Sequence, residues 1–166
     1  TLFSRIAELI QVIKDLTDVP VAIITNGFLL WQAEVRRELL QADLILPSLD
    51  AGSETVFQKI NRPHNNLSIS QYIHGLSDFR QEFKGKIWLE IFILPGYNDD
   101  KKELSALKKA ILKINPNLVQ LNTLDRPGTV QNIRSATGKE LKSIIDFWQL
   151  DYAEIIAKPP KRKELL

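Results

Sequence analysis

Apolar residues at Ile6, Leu9, Ile10, Ile13 and Leu16 recur at helical spacing and predict an amphipathic helix ending near Asp18, with Pro20 as its stop. Residues 21–25, VAIIT, form a short β-branched run closed by Asn26 and Gly27, the pattern of a buried strand entering a tight turn. A helix over about 31–41 follows, and then a second strand over 44–49. Ser53 and Glu54 start a short helix through Val56, Phe57 and Ile60 that ends before Pro63. Ser68 and Gln71 have capping-box spacing for a helix through Tyr72, Ile73, Leu76, Phe79 and Phe83, stopped by Gly85. Residues 87–94, IWLEIFIL, read as the third strand. Asp100 and Glu103 box the start of a helix through Leu104, Leu107, Ile111 and Ile114, and residues 118–124, LVQLNTL, read as the fourth strand. After a Pro-Gly loop at 127–128, Thr137 and Glu140 cap a last helix through Leu141, Ile144, Ile145 and Trp148. Strands alternating with helices imply an α/β fold of parallel βα repeats.

Side chains alternate across a strand, so each strand divides into two faces before the fold is known. In the third strand Ile87, Leu89, Ile91 and Ile93 make one aliphatic face, while Trp88, Glu90, Phe92 and Leu94 make the other. The remaining strands also have one apolar face and one that turns polar toward its carboxyl end. With parallel strands, Asn26, Ser48, Asp50, Glu90 and Asn122 gather along one wall of the sheet, where α/β sheets and barrels bind their ligands. Taken singly, Asn26 and Ser48 read as turn and cap residues. As a set, with Glu90 too deep in a strand to be a cap, the five indicate a polar small-molecule site.

Composition narrows the chemistry. The 166 residues are 44% hydrophobic and 25% charged, as expected for one globular domain. No apolar run approaches the roughly 18 residues that span a bilayer, so the expected location is cytoplasmic and no membrane partner is expected. A net charge of +2 is too balanced to indicate nucleic acid. The one basic concentration, residues 158–166, reads as a solvated tail. The chain contains no cysteine, which excludes disulfides, zinc–thiolate sites and a self-ligated iron–sulfur cluster. His64 and His74 lack ligand spacing and read as surface residues, and no metal ligand or catalytic residue can be named from the sequence. Asp99 and Asp100 read as helix-start residues. The absence of methionine, with Thr1 in first position, is the look of a piece of a longer chain.

ITNG at the first strand end, LPSLDAG followed by INRP at the second, ILPGYND at the third and LNTLDRP at the fourth together resemble the carboxyl-terminal part of radical S-adenosylmethionine enzymes. The nearest resemblance is to the Fe-S oxidoreductase group, and more distantly to pyruvate formate-lyase activating enzymes and the tRNA wybutosine-synthesis enzyme. The match runs from Thr1 to about Thr129. Thr1 corresponds to the position just after the family's Gly-Glu-Pro motif, and the family's CxxxCxxC cluster loop is not in this chain. The resemblance implies a partial TIM-like barrel comprising the last four strands of a (β/α)6 core over 1–129, a helical extension of the same domain over 130–157, and a basic tail over 158–166.

The resemblance also implies cofactors: S-adenosylmethionine, and a [4Fe-4S] cluster that this chain cannot hold. Cofactor contacts would fall at Thr25, Asn26, Ser48, Asp50, Glu90, Leu121 and Asn122, with Leu121 and Asn122 approaching the adenine through backbone. Arg62 and Arg126 would touch substrate. The implied chemistry is reductive cleavage of S-adenosylmethionine to a deoxyadenosyl radical that abstracts hydrogen from a substrate, with the cofactor supplying the hard step. The implied partner is the amino-terminal segment of the same protein, and this chain alone is expected to be inactive. The wybutosine relative leaves tRNA open as a substrate. The alternative is a stand-alone non-catalytic βα module that binds a nucleotide-like ligand or a partner protein. Either way, an unclosed barrel exposes edge strands and favours association.

Overall fold

The computed structural model describes residues 5–64, 67–125 and 133–157. Its elements follow the expected alternation: α1 (Ile6–Leu16), β1 (Ala22–Thr25), α2 (Ala33–Leu39), β2 (Leu44–Pro47), α3 (Glu54–Ile60), α4 (Ile69–Glu82), β3 (Lys86–Ile93), α5 (Lys101–Ile114), β4 (Leu118–Thr123), α6 (Gly138–Trp148) and β5 (Ala153–Ile155). All strand pairs are parallel, and the sheet order β1-β2-β3-β4-β5 is the order of the chain. That order decides the architecture. Crossovers between parallel strands are right-handed, so a sheet that always advances in one direction puts every connecting helix on the same face. The result is an α/β arrangement whose second face no described helix covers, matching a partial TIM-like barrel that is not closed.

The two faces differ as the alternation predicts. Ile45, Ile87, Leu89, Ile91, Ile93, Val119 and Leu121 are buried against Leu39, Phe57, Leu76, Phe79, Leu107, Ile111 and Trp148 of the helices. On the other face Trp88, Glu90 and Phe92 are half-buried, and Ile24 is 78% exposed. β3, the central strand, reads exposed, then strictly alternating buried and half-buried along its length.

Several local details depart from expectation for physical reasons. β2 ends at Pro47, and only an isolated bridge between Ser48 and Glu90 continues the pairing. α2 starts at Ala33 because the chain first turns tightly, with Leu30 N–H donating to Gly27 O and Gln32 N–H to Leu29 O. Thr137 and Glu140 form a complete capping box. Ser68 caps Gln71 N–H. Asp100 caps Lys102 and Glu103, whose own carboxylate does not return to the cap. It reaches across instead to Gly52 and Ser53, and Ser53 occupies the N-cap position of α3 with no cap bond from its side chain. The sequence reading has four strands, whereas a fifth, β5, pairs with β4 beyond α6. Among the described residues no helix is long and apolar enough to cross a membrane.

Candidate functional site: the uncovered face of the sheet

Strand register arranges the uncovered face in transverse rows. Ile24, Leu46, Trp88 and Leu118 make an apolar row near the amino ends of the strands. Two residues further along, Ser48 bridges to Glu90, Glu90 pairs with Gln120 and Gln120 with Glu154, a polar row across four strands. Beyond it lie Asp50, Phe92 and Asn122, at the carboxyl ends.

Hydrogen bonds fix the polar side chains in place. Asn122 Nδ2 donates to Glu90 Oε1 at 2.8 Å, and its Oδ1 accepts from Thr123 N–H at 2.8 Å. Gln120 Nε2 donates to Glu154 Oε1 at 2.9 Å. Asp50 Oδ1 accepts from Phe92 N–H at 3.0 Å and Oδ2 from Asn61 Nδ2 at 2.8 Å, so this carboxylate extends the β2–β3 ladder beyond Pro47. Burial pushes the Asp50 carboxyl above its ordinary value against these two bonds, and the negative charge of Glu90 adds to the rise.

Buried side chains beneath the carboxyl rim hold the strand ends. The Tyr72 hydroxyl reaches Asn26 O at 2.8 Å and also Ser48 O, tying β1 to β2. Burial, and secondarily the Asp50 charge, pushes this phenol well above its ordinary value, which keeps it a neutral donor. Asn98 is fully buried; its Nδ2 donates to Asp50 O at 2.9 Å and Phe92 O at 2.7 Å, while Oδ1 accepts from Leu94 N–H at 2.8 Å. Glu103 Oε1 accepts from Gly52 N–H at 2.5 Å and Ser53 N–H at 3.1 Å, anchoring the loop after Asp50 to α5.

The residues selected from sequence therefore separate. Ser48, Glu90 and Asn122 lie together on the face. Asn26 follows β1 at the rim, where its Oδ1 accepts from Phe28 N–H. Thr25 Oγ1 accepts from Gly27 N–H, within its own turn. Asp50 has both oxygens committed to the protein. The Leu121 side chain is fully buried on the helix side, so only its backbone is available near the rim. Arg62 is exposed just beyond α3, with φ +45. Arg126 and the residue 158–166 tail lie outside the described residues, and both histidines, His64 and His74, are exposed. Gln120 and Glu154 complete the polar row and are not among the sequence candidates. Gln120 carries the same face signal as Asn122, whereas Glu154 sits in a three-residue strand too short to show alternation. No group of three His, Cys, Asp or Glu side chains suited to a metal occurs among the described residues.

No family model matches the chain. It is 40% identical over 149 residues to a protein of Brachyspira hyodysenteriae named GTPase Obg, covering 90% of this chain and 22% of that protein. It is 30% identical over 158 residues to a UPF0026 protein of Methanocaldococcus jannaschii, covering 95% of this chain and 48% of the relative. A UPF0026 protein of Helicobacter pylori is also 30% identical, over 89% of this chain and 48% of that protein. The chain thus spans about half the length of its UPF0026 relatives, and it contains no GxxxxGK[ST] phosphate loop. In structure it matches a domain of pyruvate-formate lyase-activating enzyme from Bacteroides vulgatus, with TM-score 0.69, 15% identity and coverage of 90% of this chain and 88% of that one. It also matches a radical SAM methyltransferase from Sphaerobacter thermophilus, with TM-score 0.66, 16% identity and coverage of 82% and 40%. The fold of this chain, a parallel five-stranded sheet among its described residues, is thus similar to the folds of these two radical SAM enzyme structures.

Proposed function

We propose that this chain is the carboxyl-terminal part of a radical S-adenosylmethionine Fe-S oxidoreductase and supplies one wall of its cofactor cavity. The observation that carries the reading is the polar row Ser48–Glu90–Gln120–Glu154 on the uncovered face of a radical-SAM-like sheet. A chain without cysteine does not fit the iron–sulfur cluster, so no step is assigned to the cluster here. S-adenosylmethionine fits better. Hydroxyl, amide and carboxylate groups stand beside the rings of Trp88 and Phe92, as a molecule with ribose hydroxyls, a purine and a charged amino acid end requires.

On this reading Asn26, Ser48 and Glu90 hold the cofactor through side chains, Thr25, Leu121 and Asn122 through backbone, and the Asn122 side chain positions Glu90. Asp50 keeps the β2 and β3 ends in register rather than contacting the ligand directly, and Tyr72 and Asn98 set the spacing of the rim. Arg62 and Arg126 are proposed substrate contacts. Bound there, S-adenosylmethionine would bring the reactive chemistry, while the residues of this chain would orient the molecule and shield it from water. The amino-terminal segment of the same protein would pair along β1, whose outer edge has no neighbouring strand among the described residues, and cover Ile24.

The coding sequence upstream of Thr1 tests this. An in-frame CxxxCxxC and Gly-Glu-Pro, with [4Fe-4S] absorbance after anaerobic reconstitution of the longer protein, is the expected result. A start codon immediately before Thr1 would overturn the reading in favour of the stand-alone module.

A further inference from the structure

In the cofactor reading Glu90 is one polar contact among several, but its surroundings point to a more particular role. Trp88, Glu90 and Phe92 are successive residues on one face of β3, spaced about 6.7 Å apart along the strand, so a carboxylate stands between two half-buried aromatic rings. One oxygen of that carboxylate is held by Asn122, which Thr123 N–H holds in turn. Among the described residues no lysine or arginine pairs with Glu90. The charge of Glu154, two strands away in the same row, has the same sign. The one basic residue in these strands, Lys86, lies at the far amino end of β3. A preset carboxylate oxygen, flanking aromatic rings and an excess of negative charge are the elements of an organic-cation site.

We propose that the uncovered face binds an organic cation, an alkylammonium or guanidinium group, at Glu90 between Trp88 and Phe92, with Glu154 adding to the field. The site discriminates by charge: cationic ligands enter, while neutral and anionic ligands of the same shape do not. The inference rests on the face itself and does not need the cofactor reading.

Butylammonium and butylguanidinium chloride, with butanol and butyrate as matched neutral and anionic controls, test it by amide NMR titration of the full chain at low ionic strength. The expected result is saturable shifts at Ser48, Leu49, Glu90–Phe92 and Asn122 with the cations alone. Glu90→Gln should weaken them about tenfold, and Trp88→Leu about threefold. An unchanged amide spectrum elsewhere shows that each variant is folded. Absence of saturable shifts, equal shifts from butanol or butyrate, or full affinity in Glu90→Gln would overturn the proposal. The probes carry no adenosine or methionine, so their failure leaves the cofactor reading intact, and a missing CxxxCxxC upstream leaves this one intact.

Discussion

Gly52→Ala should be the most destabilising single-methyl change in the loop below the polar row. A Cβ at position 52 would lie 2.4 Å from Leu107 N and 2.5 Å from Ala106 C, backbone atoms of α5 that no rotamer change can move. Gly52 is therefore required by close approach to the helix and not by a left-handed φ. Relief demands a shift of the loop away from α5, and that shift stretches the bonds from Gly52 and Ser53 N–H to Glu103. Overpacking of this kind costs about 1–3 kcal/mol. Weakening a hydrogen bond to a buried charge adds about 1.5–3 kcal/mol. Because the two share one displacement they do not add fully, and the expected total is about 3–5 kcal/mol. In urea unfolding followed by tryptophan fluorescence, the midpoint should fall by about 1–3 M at unchanged slope. Gly138→Ala is the control: nothing lies within 4 Å of its Cβ at the first position of α6, so it should be neutral or stabilise by about 0.5 kcal/mol. A Gly52→Ala midpoint within about 0.5 kcal/mol of the parent would refute the close-contact reasoning.

Other consequences follow from the buried polar groups. The folded pKa of Asp50 lies above its unfolded value of about 3.9, so its contribution to stability is present below that pH and lost as pH rises through the raised value. Asp50→Asn should flatten that slope and be tolerated, because Asn61 Oδ1 is buried without a partner and can accept from the new amide; an unchanged pH dependence of the urea midpoint would count against it. Tyr72→Phe should cost about 1 kcal/mol and shift the amides of residues 26–27 and 48–49, while leaving α6 untouched. Asn98→Leu should cost about 3 kcal/mol or more, since one carbonyl pair and one N–H lose their partner together; a loss under 1 kcal/mol in chemical unfolding would show the clamp to be dispensable. Thr137→Ala should lower stability by about 1 kcal/mol through the capping box of α6.

Much of the fold was legible because strand alternation and helix periodicity are local signals. The split of β3 into Ile87, Leu89, Ile91 and Ile93 against Trp88, Glu90 and Phe92 matches the observed burial, whereas Leu94, read onto the second face, lies past the strand end and is buried. What escaped was set by contacts distant in sequence. Glu103 has the spacing of a capping residue yet accepts from amides 50 and 51 residues earlier. Asp50 shares a face with Ser48 yet serves the backbone of Phe92. Tyr72 reads as a helix core residue, and only the tertiary fold brings its hydroxyl to the carbonyls of Asn26 and Ser48. β5 is three residues long, so its pairing with β4, and with it the place of Glu154 in the polar row, depends on the sheet already being there.

Formation of 5′-deoxyadenosine from S-adenosylmethionine, by the longer protein reconstituted with iron and sulfide under dithionite, tests the central claim most directly. The account predicts turnover-dependent product in the parent protein, and a large rise in the S-adenosylmethionine concentration needed when Asn122 is replaced by alanine. A reconstituted, folded protein that makes no 5′-deoxyadenosine, or one indifferent to Asn122→Ala, would contradict the assignment of the uncovered face as the cofactor wall.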